Sequence, residues 1–176
     1  MALIFVHPRL HSPLRREGGG FRSPETGEFF PLQDHCPCFL PKDMRRSVQE
    51  EREDFVNRVK TLLRKFPRLY VALISLISPV CYTGLTARKF VRRFPESAHL
   101  LNVGSGVHRY RADMVNLDIY PYAGVDVIAD ATALPFGDNT FDGAICECLL
   151  EHVPEPEKVV REIIPALILS ILFAYL

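Results

Sequence analysis

The sequence predicts an α/β domain on a short, mainly parallel sheet, and three observations predict it. An apolar run, Leu100-Leu101-Asn102-Val103, ends in Gly104-Ser105-Gly106; the next, Val115-Asn116-Leu117, ends in Asp118; the one after, Val127-Ile128-Ala129, ends in Asp130. Short apolar runs bounded by turn residues read as strands buried on both faces. In an open α/β sheet, ligands lie outside the carboxyl ends of the strands, where glycine lets the backbone approach and an acid can bind ribose hydroxyls. Three successive strand ends therefore carry ligand-binding residue types.

The elements follow in order. Residues 1–43 are rich in Pro, Gly, Arg and Ser, with turn signals at Gly18-Gly19-Gly20, Ser23-Pro24 and Thr26-Gly27, so the segment reads as irregular with at most short strands around Phe29-Phe30. Residues 44–98 read as a helical lead-in. Val48, Phe55, Val59, Leu62, Leu63 and Phe66 recur at helical spacing, Asp43 or Ser47 can cap the start, and Pro67 and Pro79 separate off a second, more apolar helix over Leu69–Ile77. Arg88-Lys89 and Arg92-Arg93, set among Phe90, Val91 and Phe94, form a further helix with a basic face before Pro95. Residues 99–176 hold the main domain: strand 99–103, glycine loop 104–106, strand 114–118, strand 125–129, loop 130–140, strand 141–146 and helix 155–164. Glu155 and Glu157 lie early in that helix, where negative charge suits its dipole, and Pro154 and Pro156 fit its entry.

Composition sets bounds. At 176 residues the chain suffices for one domain with a real core and a smaller N-terminal piece. The formal net charge is zero, yet residues 1–98 hold 17 Lys/Arg against 10 Asp/Glu and residues 99–176 hold 4 against 11. The basic half is interleaved with acids, as in Glu50-Glu51-Arg52-Glu53-Asp54, which marks a solvated surface rather than a nucleic-acid partner. Five cysteines, an odd number, do not make a disulfide framework, and Met1 to Val6 has no basic n-region, so a reducing, cytoplasmic setting is expected. Leu69 to Tyr82 and Ile163 to Leu176 are apolar over 14 residues each, short of the roughly 20 that a transmembrane helix needs. His35 and Cys36-Pro37-Cys38 fall short of the four ligands of a structural zinc site, and no metal is expected.

Gly-x-Gly alone is weak. The ordered set is specific: Gly104-Ser105-Gly106, Asp118, Asp130-Ala131, Leu134-Pro135-Phe136, Phe141-Asp142 and Glu151-His152. On these residues the chain, over about 99–164, resembles the class I S-adenosylmethionine-dependent methyltransferases, in particular the subgroup marked by Asp-Ala-x-x-Leu-Pro-Phe followed by Ser/Thr-Phe-Asp. The resemblance implies a partial Rossmann-like sheet of order 3-2-1-4, with S-adenosylmethionine as cofactor and a small-molecule methyl acceptor. It implies that Gly104, Ser105 and Gly106 lie against the methionine part, that Asp118 holds the ribose, that Asp130 and Ala131 contact adenine, and that Cys146 lines the sulfonium region. Methyl transfer from a sulfonium needs chiefly in-line positioning, so the chemistry requires no dedicated catalytic residue, and none is assigned. For a hydroxyl acceptor His152 is the nearest base, or else a helix-start histidine bonded to backbone. Glu147 and Glu151 either orient an acceptor or are surface carboxylates. Cys146 and Cys148 read as small core residues before they read as nucleophiles.

Four departures from the family pattern stand out. Asn102 occupies a position that usually holds an acid. Only ten residues separate Val103 from Met114 and six separate Asp118 from Val125, too few for full crossover helices, so Tyr120-Pro121-Tyr122-Ala123-Gly124 is expected to cover the adenine side. Residues 21–41 resemble a small N-terminal module of some methyltransferases that holds zinc through two cysteine pairs, and those pairs are missing here. After Arg161-Glu162-Ile163 the family continues into a Lys/Arg-Pro-Gly-Gly turn and three further strands, where this chain has Ile164-Pro165-Ala166-Leu167 and an apolar tail. A truncated domain is therefore expected, with doubtful turnover. Strand 141–146 would have an open edge, prone to self-association, unless 166–176 cover it. Two other classes compete: a noncatalytic remnant that binds cofactor or a partner, and a membrane-peripheral protein using 69–78 and 166–176. A nicotinamide-dependent oxidoreductase is disfavoured, because the third glycine of its fingerprint falls at Arg109 and the ribose acid comes only 14 residues after Gly104.

Overall fold

The computed structural model describes residues 3–53 and 86–174. The main sheet contains β5 (Leu100–Val103), β6 (Val115–Asp118), β7 (Val127–Ile128), β8 (Phe141–Glu147) and β9 (Leu167–Ala174), in the order β7-β6-β5-β8-β9 with every pairing parallel. The first four reproduce the expected 3-2-1-4 order. β5 is buried at all four positions, as a central parallel strand must be, and its register sets Val103 opposite Leu117 on one side and Cys146 on the other. Strand alternation then divides the core. Leu101, Val103, Leu117, Ala144 and Cys146 face Val159 and Ile163 of α3 (Pro156–Ile163), while Leu100 and Ile145 face Phe90 and Val91 of α2 (Ala87–Val91).

Local chemistry accounts for these helices. Thr86 caps α2 by accepting from the Lys89 amide, and α3 begins at Pro156, carries Glu157 in its first turn and Arg161 in its last, and buries Val159 and Ile163 four residues apart. The lead-in helix is α1 (Lys42–Glu53). Beyond Val48 the predicted repeat, over 55–66, and the whole second helix over 69–77 lie outside the described residues.

The crossover from β5 to β6 and that from β6 to β7 contain no helix. A buried polar network closes the space. Asn102 Nδ2 donates to the His108 carbonyl (3.0 Å) and to Asn116 Oδ1 (3.3 Å), and Asn116 Nδ2 reaches the His108 and Gly124 carbonyls. Arg109 adds bonds to the Met114 and Gly124 carbonyls and a 2.6 Å ion pair with Asp126. Asn102 thus works as a donor inside the sheet, which a carboxylate cannot do. This network gives the amide at position 102 a structural role.

Two features differ from expectation. The N-terminal segment, expected to be irregular with at most short strands around Phe29-Phe30, forms an antiparallel sheet of β1 (Arg15–Glu17), β2 (Gly20–Arg22), β3 (Phe29–Gln33), which begins at the expected place, and β4 (Cys36–Pro37). Its Ser23-to-Gly27 stretch is the β2–β3 turn, closed by Gly27 N donating to Ser23 O at 2.9 Å with Gly27 at φ +75°. Phe5, Phe21, Phe30 and Phe39 pack as one aromatic group against Phe136, and the Phe39 amide donates to the Ile128 carbonyl. Cys36 Sγ lies 3.2 Å from the Val125 carbonyl and Cys38 is fully buried, so both thiols are occupied in packing this sheet along the outer side of β7. Secondly, the apolar C-terminal run is strand β9, paired with β8 from Phe141↔Leu167 to Glu147↔Ala174. The edge of β8 is covered.

Candidate functional site

Of the residues singled out at the strand ends, the glycine loop and Asp118 are joined directly. Beyond Val103 the chain turns sharply: Gly104 and Gly106 take φ of +69° and +53°, and the amides of Gly104 and Ser105 both donate to the Leu117 carbonyl at 2.9 and 3.0 Å. One residue further along β6, Asp118 holds the loop directly. Its Oδ2 accepts from the Gly106 amide at 2.7 Å and its Oδ1 from the Tyr120 amide at 2.9 Å. Such charge-assisted bonds are roughly twice as strong as neutral ones. Only 7% of Asp118 is exposed, so the loop and the acid form one rigid unit.

Asp118 pairs with Ile128 and its carbonyl accepts from the Ala129 amide at 3.1 Å, which brings Asp130 to the neighbouring strand end. Asp130 is half-buried and turns the chain by accepting from the Thr132 amide at 2.9 Å. Ala131 beside it is buried in the core. On the other side, Cys146 sits opposite Val103 with its side chain in the same core, and burial, followed by the charge of Glu151 and by Cys148, pushes its thiol up to about 12. It is a neutral packing thiol, as its alternation in the strand predicts. His152 and Glu151, in a short 3-10 turn (Leu150–His152), are exposed, and no hydrogen bond ties them to the loop among the described residues.

The two glycines serve different needs. A Cβ on Gly104 would crowd the Leu149 side chain at 3.0 Å, whereas one on Gly106 would meet nothing within 4 Å. Gly104 makes room for a neighbour, and Gly106 leaves open space above the loop. Between them Ser105 is 3% exposed and its Oγ is buried with no hydrogen-bond partner. A buried hydroxyl without a partner costs stability and calls for an explanation, which a ligand supplies. Sequence reasoning missed Leu149, whose position over Gly104 depends on Cys148 adopting φ +54°, and Tyr110, which donates to Glu147 Oε2. Neither carries a local sequence signal, because both act through contacts with distant residues.

A sheet of this order, with glycines and acids at adjacent strand ends, is an open α/β fold of the kind that binds ligands outside the carboxyl ends of its strands. Comparison narrows the class. The model of the methyltransferase domain family matches residues 81–168, half of the chain, and the chain belongs to that family, with the fold of the class I S-adenosylmethionine-dependent methyltransferases. Among solved structures, the crystal structure of the [4+2]-cyclase SpnF is similar at 26% identity over 40% of this chain, with a TM-score of 0.35, and the matched part spans 35% of that protein's length. No curated protein matches the chain. The cofactor normally used by the family is S-adenosylmethionine, and the residues present fit it. They offer a buried hydroxyl in need of a partner, open space above Gly106, and two carboxylates at neighbouring strand ends.

Proposed function

We propose that residues 99–164 bind S-adenosylmethionine and transfer its methyl group to a small-molecule acceptor at oxygen, nitrogen or carbon. The observation that carries this reading is the clasp between the Gly106 amide and Asp118, with the orphaned Ser105 hydroxyl inside the same loop. In this reading Gly104, Ser105 and Gly106 hold the amino-acid portion, Asp118 the ribose diol, and Asp130 with Ala131 the adenine. Cys146 contributes the wall of the sulfonium region through the end of β8, its thiol being turned into the core. The bound sulfonium would supply an electrophilic methyl group, and the chain's part is to fix the geometry of approach. The free thiols Cys36, Cys38, Cys146 and Cys148 suit a reducing, cytoplasmic compartment. No helix of the described residues is long and apolar enough to cross a membrane.

Calorimetric titration with S-adenosylhomocysteine tests the site. Micromolar binding is expected for the natural chain, weakened roughly tenfold or more in Asp118→Ala, the loss that removal of a charged hydrogen-bond acceptor brings. A folded chain that does not bind overturns the proposal. Mass-spectrometric detection of methylated products then separates an enzyme from a binder.

A further inference from the structure

The glycine loop is braced at both of its glycines, by different means. Asp118 fixes the Gly106 end through the 2.7 Å bond to the Gly106 amide. The Gly104 end meets an apolar side chain instead. A Cβ on Gly104 would lie 3.0 Å from the Cβ and both Cδ atoms of Leu149, so Leu149 rests along the space that the glycine leaves bare. Glycine, without a Cβ, has the widest backbone freedom, and the order of this end therefore depends on what packs against it.

Leu149 reaches this place through a strained turn. Cys148, the first residue after β8, has φ of +54°, a left-handed backbone that a residue with a Cβ adopts only at a cost. Beyond it the Leu149 carbonyl accepts from the His152 amide at 2.9 Å, which closes the 3-10 turn. The side chain of that turn that is buried in the core is Leu150, whereas Leu149 is half-buried at the core's margin. What the left-handed Cys148 adds is thus the position of Leu149 over Gly104. Strain of this kind persists only where the surroundings over-determine it, and it clusters where a ligand is clamped.

We propose that Leu149 is a positioning residue: it braces the Gly104 end of the loop as Asp118 braces the Gly106 end, and so preorganises the loop for the amino-acid portion of the cofactor. The inference rests on the cofactor site proposed above. A loop already in its bound shape raises affinity, because binding no longer bears the cost of ordering it. The test compares two probes by calorimetry: S-adenosylhomocysteine, which has the amino-acid portion, and methylthioadenosine, which keeps the adenosine and the sulfur and lacks that portion. Leu149→Ala is expected to bind S-adenosylhomocysteine about tenfold more weakly than the natural chain and methylthioadenosine within about twofold of it, so that the ratio of the two affinities falls. Leu149→Met, which restores the length and volume of the side chain, is expected to bring the ratio back to within about threefold of the natural value. Leu149→Val carries the test should the Ala variant fail to fold, with a fall in the ratio of about threefold or more. A side chain that merely supports the fold would weaken both probes alike. Equal losses for the two probes in the folded variants, or unchanged S-adenosylhomocysteine binding, overturn the role of Leu149 alone. Failure of the folded natural chain to bind S-adenosylhomocysteine overturns the cofactor site and this role with it.

Discussion

Single residues in this molecule take their meaning from the groups that face them. Asn102 occupies a position where the family usually carries an acid, and here it is buried and gives both amide protons away, to a backbone carbonyl and to Asn116 Oδ1. Restoring the acid would therefore harm the fold. Asn102→Asp removes two donors and sets a carboxylate against two acceptor oxygens, at a cost of about 3 kcal/mol, to be seen as a lower urea midpoint with an unchanged slope. The glycine loop makes the same point. Positive φ costs a residue with a Cβ about 1–2 kcal/mol, so Gly104→Ala and Gly106→Ala are both expected to destabilise. Gly104→Ala bears in addition the crowding by Leu149, and in a double-mutant cycle Leu149→Ala, which removes the two Cδ contacts and keeps that of Cβ, is expected to rescue it in part without rescuing Gly106→Ala. Equal effects of Leu149→Ala in both backgrounds would contradict the division of labour between the two glycines.

Elements were legible in the sequence where short-range pattern decides them. β5, β6 and β8 are apolar runs bounded by turn residues, and the glycines and acids that close β5, β6 and the β7 edge are fixed by chain position alone, so both the sheet and its loaded ends could be read. Tyr110 and Glu147 lie 37 residues apart, and nothing local announces their bond. β9 was hidden for a different reason: a short apolar run is equally a strand, a buried helix or a loose end, and only pairing with β8 settles it. The start of β3 was legible at Phe29-Phe30, whereas β1, β2 and β4 escaped because they are two or three residues long, and Gly20 and Pro37 within them are residues that propensity assigns to turns. Gly20 is required there, since a Cβ would come within 2.3 Å of the Phe30 carbonyl oxygen. What secures this small sheet is its aromatic contact with the main domain. Phe39 is 3% exposed and lies within 6.0 Å of three other phenylalanine rings, so Phe39→Ala is expected to cost about 3–5 kcal/mol. Hydrogen exchange should then accelerate at the residue 39 amide that bonds Ile128, and protection equal to the natural chain's would show that the N-terminal sheet docks by other means.

Across the whole molecule, the sheet is held from both sides by segments distant in sequence: the N-terminal module along β7 and strand β9 along β8. The core they enclose contains thiols, and that couples stability to pH. Cys146 is 1% exposed, and burial is the main reason its thiol is held far above the ordinary value of 9.0, at about 12. In the unfolded chain the thiol loses its proton near the ordinary value; in the folded chain it keeps it. Between about pH 9 and 12 the folded state therefore binds more protons than the unfolded state, and stability falls as pH rises, by up to about 1.4 kcal/mol per pH unit for this one group. Below pH 9 the contribution is constant. Cys146→Ala removes the titrating group, so the decline in urea midpoint between pH 9 and 10.5 is expected to be shallower in the variant than in the natural chain, whatever the variant's lower absolute stability. Parallel declines in the two proteins would mean that the thiol titrates alike in both states and is not sealed in the core beneath the glycine loop.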